Sequence, residues 1–282
     1  MFKKHFIKIS VSAGFFILFS ISNIRAASVD TIVTHSDVMH KDIKAVVVKP
    51  ETSGSDTELP VLYLLHGAGG NYADWVNKTP NKDVVKKLAD LYRMIVVLPD
   101  GGVTSWYLDS PVDPSYQYET YVSKELVGYI DAHYQTIKNK SGRAITGLSM
   151  GGHGGLYLGF RHQDVFGACG SMSGGVDIRP FPLNWDIAKR LGSYARFPER
   201  WEKNTVINQL HLLTPNNLAI IIDCGTGDFF YNVNQKLHEK LLEHNINHDY
   251  ITRPGVHNFE YWGNAIQYQM LFFNNFFNRP KA

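Results

Sequence analysis

The residues best placed to do chemistry are a serine, two aspartates and a histidine, each set among glycines. Ser149 stands in Gly147-Leu148-Ser149-Met150-Gly151, after the β-branched run Ile145-Thr146 and before a helix-compatible segment. A sharp strand-to-helix turn lifts a serine hydroxyl clear of the backbone. Side chains two residues to either side would collide there, so glycine at 147 and 151 suits such a turn. Further on come Asp223 and Asp228, in Asp223-Cys224-Gly225-Thr226-Gly227-Asp228, and His257, in Pro254-Gly255-Val256-His257-Asn258.

These residue types suit acyl transfer. A serine hydroxyl is a weak nucleophile unless an imidazole takes its proton. The imidazole needs a carboxylate behind it, to fix its tautomer and steady its charge. Attack on an ester creates an oxyanion, which needs preorganised donors. The N–H of Met150, at the start of the helix, is one candidate. The other is the N–H of Ala68 or Gly69, in His66-Gly67-Ala68-Gly69-Gly70. On residue types alone, Asp223 and Asp228 are near equals as the acid.

Strands and helices that could position these groups alternate along the chain. Residues 29–50 read as an opening β-hairpin. Buried strands are expected at 60–65, 94–98, 143–146, 166–172, 218–223 and 248–252, and helices at 81–92, 118–134, 150–161, 233–243 and 261–277. This alternation predicts an α/β fold, with a mostly parallel central sheet and helices on both faces. In such a sheet, loops after the strands' carboxyl ends share one crevice. Ser149, the 66–70 loop, the two aspartates and His257 all follow strands. Residues 176–217, rich in proline and aromatics, have no clear period and read as an insertion near that crevice.

Bulk properties exclude several classes. A net charge of +2 in 282 residues gives no electrostatic case for nucleic acid. No Cys-x-x-Cys, His-Glu-x-x-His or phosphate-loop motif occurs, so neither metal nor cofactor is expected. Lys3, Lys4 and Lys8 precede an interrupted apolar run from Ile9 to Ile24, then Ala26-Ala27-Ser28. This is the pattern of a secretory signal peptide over 1–26, leaving a single domain over 27–282, secreted or periplasmic, without a stable membrane anchor. Cys169 and Cys224 fall in buried strands, where cysteine acts as a small hydrophobe, and are expected to be free.

The chain resembles the putative-esterase family of α/β-hydrolases, which includes feruloyl esterases, S-formylglutathione hydrolases, tributyrin esterases and mycolyltransferases. The resemblance rests on residues 66–70, Ser105-Trp106-Tyr107, Tyr118-Glu119-Thr120, Gly147 to Gly155, Ser171 to Gly175, Gly225 to Asp228, and Gly255-Val256-His257 with Trp262. It implies the α/β-hydrolase fold and a triad of Ser149, Asp228 and His257, and it favours Asp228 over Asp223. It further implies a serine carboxylic-ester hydrolase, with a small or polysaccharide-linked ester as substrate. An exported member would meet feruloyl or acetyl groups on carbohydrate. Two alternatives stand beside this: an acyltransferase on the same triad, and a non-catalytic carbohydrate-binding protein of the same fold. Trp106, Tyr107 and Trp185 could line an acyl or sugar pocket or pack internally. His66 and His153 read as structural.

Overall fold

The computed structural model describes residues 1, 27–51 and 57–279. The expected signal segment lies outside these residues, save for Met1. Among the described residues, eight strands form one sheet in the order β1-β2-β4-β3-β5-β6-β7-β8. They are β1 (Ser28–Ser36), β2 (Lys41–Lys49), β3 (Val61–Leu65), β4 (Ile95–Pro99), β5 (Arg143–Gly147), β6 (Ala168–Met172), β7 (Ala219–Gly225) and β8 (Asp249–Arg253). β1 and β2 form the antiparallel hairpin, β2 joins β4 antiparallel, and every other pairing is parallel.

Burial on both faces explains the unbroken apolar strands. In β3, Val61, Tyr63 and Leu65 enter one apolar cluster, while Leu62 and Leu64 enter the other. The first cluster is covered by α4 (Val127–His133), α5 (Met150–Arg161) and α8 (Tyr231–Glu243). The second is covered by α2 (Val84–Tyr92) and α9 (Phe259–Phe277). The remaining helices are short: α1 (Asp74–Asn77), α3 (Tyr118–Thr120), α6 (Ile187–Leu191) and α7 (Pro198–Lys203). α3 runs into α4 through a π-helical segment, Tyr121–Leu126, which periodicity did not signal. No helix among the described residues is long and apolar enough to cross a membrane.

The insertion is built into this core. It carries α6, α7 and two 3₁₀ turns, and Ile187, Leu191, Trp201, Val206 and Ile207 are all buried in the first cluster. The strand order reverses at β3, so the loops after β3 and β5 diverge and leave a crevice at their carboxyl ends. Ser149 and the 66–70 loop sit there.

Candidate active site

Ser149 has φ 57° and ψ −116°, strained for a non-glycine residue, at the junction of β5 and α5. Backbone bonds hold the turn: its N–H donates to the Met172 carbonyl at 2.9 Å, and its carbonyl accepts from the His153 N–H at 3.0 Å. The flanking glycines are required by close approach. A Cβ on Gly147 would lie 2.6 Å from the Gly151 carbonyl oxygen, and one on Gly151 would lie 2.6 Å from that of His66.

The serine hydroxyl is 2.8 Å from His257 Nε2, and His257 Nδ1 is 2.8 Å from Asp228 Oδ2. A carboxylate only accepts, so Nδ1 carries the proton and Nε2 is left to accept from the serine. The other carboxylate oxygen, Oδ1, accepts the Phe230 N–H at 2.8 Å. The Asp228 side chain is fully buried, whereas Ser149 and His257 are half-buried. Hydroxyl, imidazole and carboxylate thus form one hydrogen-bonded line, open to solvent at the serine end.

Asp223 occupies a different place. It is buried, accepts a short hydrogen bond from the Tyr261 hydroxyl and pairs with Arg253 at 2.9 Å. Burial raises its pKa, and the bonds from Tyr261 and Arg253 oppose that shift. It braces the end of β7 while its neighbour five residues on reaches the histidine.

The glycine loop also separates its two candidates. The Gly69 N–H is spent on the Val103 carbonyl at 2.8 Å, which removes Gly69 as a free donor. Among the described residues, the N–H groups of Ala68 and Met150 have no acceptor. A Cβ on Gly67 would come within 3.2 Å of Ser149 Cβ, so this loop packs directly against the serine. Buried His66 staples it in place. The Gly101 N–H donates to Nε2 at 2.8 Å, leaving Nδ1–H for the Gly67 carbonyl, also at 2.8 Å. Burial depresses the His66 pKa, so the ring stays neutral.

The three aromatics that could line a pocket or pack internally differ in position. Tyr107 is fully buried: its hydroxyl donates to the His66 carbonyl at 3.1 Å and its ring lies against Gly101 and Gly154, so it supports the loop rather than lining a pocket. Trp106 is buried as well, and its indole N–H donates to the Trp185 carbonyl at 3.3 Å. Only Trp185 is partly exposed. Spacing did not signal Phe229 and Phe230. Phe229 is 54% exposed, with its ring centroid 4.2 Å from that of His257 and stacked at 5.8 Å and 18° on Trp185. Their place next to Asp228 was the only hint in the sequence. His153, in α5, has both ring nitrogens against carbonyls, of Trp106 at 3.2 Å and Asn204 at 3.0 Å. Burial pushes its pKa down to about 3, so it is neutral and donates to one of them.

A reversed sheet order, an elbow serine after β5 and an antiparallel hairpin at one edge define an α/β-hydrolase. The family model described as "Putative esterase" matches residues 36–273, and the chain belongs to that family. The chain is 26% identical over 220 residues to an acetyl esterase of Caldicellulosiruptor saccharolyticus, covering 74% of this chain and 80% of that one. It is 27% identical over 266 residues to the diacylglycerol acyltransferase/mycolyltransferase Ag85A of Mycobacterium tuberculosis, covering 81% and 75% respectively. A solved ferulic acid esterase superposes with a TM-score of 0.76 at 28% identity, covering 89% of this chain and all of that one.

Proposed function

We propose that the chain is an exported serine carboxylic-ester hydrolase that removes feruloyl or acetyl groups from carbohydrate. The observation that carries this reading is the Ser149–His257–Asp228 line, with 2.8 Å at both links. Ser149 Oγ attacks the acyl carbon as His257 Nε2 takes its proton. Asp228 steadies the imidazolium, and the N–H groups of Met150 and Ala68 hold the oxyanion. Collapse returns the proton to the leaving sugar oxygen and leaves an acyl-Ser149. Water, deprotonated by His257, then releases the acid. Export rests on the lysine-led apolar N-terminal pattern.

The half-exposed Phe229 ring, stacked on Trp185 beside His257, favours an aromatic acyl group. The similarity to Ag85A supports a second reading, transfer to a sugar hydroxyl on the same residues. The test is an ester panel of p-nitrophenyl acetate, methyl ferulate and acetylated xylan, on wild type and Ser149→Ala. Turnover is expected to vanish in the variant, and undiminished turnover there defeats the proposal. Products formed with and without added glucose separate hydrolysis from transfer.

A further inference from the structure

A cavity of about 330 Å³ lies near the C-terminal end of α5. By helix rise it is about 18 Å along α5 from Ser149. Four cations line it: Lys124 from the π-helical segment, Arg161 from α5, and Arg200 and Lys203 from α7. Both of its carboxylates are hydrogen-bonded, Glu119 to a cation and Asp109 to neutral donors. Glu119 accepts from the Tyr157 hydroxyl at 2.7 Å, Arg161 Nε at 2.8 Å and His162 Nε2 at 3.0 Å. Asp109 accepts from the Thr120 N–H at 3.0 Å and hydroxyl at 2.6 Å.

The cations are not so well satisfied. Among the described residues, the ammonium groups of Lys124 and Lys203 have neither a carboxylate nor a hydrogen-bond acceptor. Arg161 bonds through Nε alone, and Arg200 gives only Nη1, to the Leu191 carbonyl at 3.2 Å. Four cations against two carboxylates leave an excess of positive charge in one recess, which a bound anion would offset. Guanidinium forks match oxyanions in particular. The volume is at the small end of ligand pockets, which run from about 300 to 1,000 Å³.

We propose that this cavity binds a small oxyanion, a phosphate or a sugar carboxylate, and that the bound anion ties the insertion to the body of the fold. Lys124 and Arg161 belong to helices packed on the sheet, whereas Arg200 and Lys203 belong to the insertion. The same insertion reaches the active site: the Trp106 indole donates to the Trp185 carbonyl at 3.3 Å, and the Trp185 ring stacks on Phe229 beside His257. An anion held here therefore steadies the aromatic wall beside His257, without touching the triad.

The test is calorimetric titration of the full chain with inorganic phosphate, with D-glucuronate and with neutral glucose, alongside thermal melting. Saturable binding of at least one anion is expected, with none of glucose. A Tm rise of about 3 °C is expected once the anion exceeds its Kd about tenfold. Phosphate binding alone marks free phosphate as the ligand, whereas glucuronate binding marks an acidic sugar. Lys124→Gln/Lys203→Gln replaces two exposed, unpaired side chains and should weaken binding at least tenfold. Three results overturn the proposal: no saturable binding of either anion, unchanged affinity in the double variant, or an equal Tm rise from chloride at matched ionic strength.

Discussion

Replacing Asp228 and Asp223 one at a time by asparagine should produce opposite defects. In Asp228→Asn, the Phe230 N–H at 2.8 Å requires an oxygen acceptor, so the amide turns its NH₂ towards His257 Nδ1. That nitrogen must then accept, which moves the proton to Nε2, where it faces the Ser149 hydroxyl. Restoring the productive tautomer leaves a buried donor unpaired, at a cost of about 1–3 kcal/mol. The variant also loses the attraction between carboxylate and imidazolium. At an effective dielectric near 20 and about 4 Å, that attraction is about 4 kcal/mol. Together these give about 5–7 kcal/mol, a fall in kcat of about 10⁴ or more. Stability should change less, because the fold and the Phe230 bond are kept.

Asp223→Asn instead removes the carboxylate that pairs with Arg253, whose side chain is 22% exposed, and costs about 1–3 kcal/mol of stability. It leaves kcat within about tenfold, since Asp223 does not touch His257. The assay is kcat on p-nitrophenyl acetate paired with urea unfolding for each variant. If Asp223→Asn abolishes turnover while Asp228→Asn keeps it, the assignment of the acid is wrong.

Other expectations concern the walls of the site and the fold. Phe229→Ala should lower the ratio of kcat/KM for methyl ferulate to that for p-nitrophenyl acetate by about 2- to 13-fold, the worth of one aromatic contact at 0.5–1.5 kcal/mol. An equal loss on both esters would show that the ring only supports His257. Burial alone would raise the Glu119 pKa, but bonds from His162, Arg161 and Tyr157 prevail and hold it at about 2, against 4.5 ordinarily. A depressed carboxylate stabilises above its unfolded pKa and loses that contribution as pH falls through its folded value. The stability gap between wild type and Glu119→Gln should therefore narrow by about 3 kcal/mol between pH 5 and pH 2. Urea unfolding across that range checks this, and a gap independent of pH contradicts it. Cys169 and Cys224 are buried, and burial raises both thiol pKa values. The folded protein should release no thiolate to Ellman's reagent until it is denatured, and rapid native labelling would contradict the burial.

Local patterns carried much of the fold. Helix α5 falls on the expected residues, and β3 to β5 lie within a residue or two of where their apolar runs placed them. Burial on both faces leaves no polar alternation to misread, so such strands are legible. The π-helical segment was not, because one extra residue per turn barely alters the apolar spacing over six residues. The insertion carried no period because its order comes from Trp201, Val206 and Ile207 docking into the core, not from a face of its own.

The same division runs through the site. Glycines at 147 and 151 and the order serine, acid, histidine are properties of the chain itself, because a tight turn dictates its own residue types. Which aspartate meets His257, which loop N–H stays free and which aromatics face solvent depend on loops from strands far apart in sequence. Asp223, near the end of β7, and Asp228, in the loop after it, are five residues apart, yet Tyr261 and Arg253 take the first and His257 the second. Gly69 is spent on Val103, from the loop after β4. Tyr107 is drawn under the His66 carbonyl, while Phe229 is left beside His257. Hydrogen-bond partners are allotted by distance in space, so sequence determined the chemistry available and only tertiary structure decided its assignment.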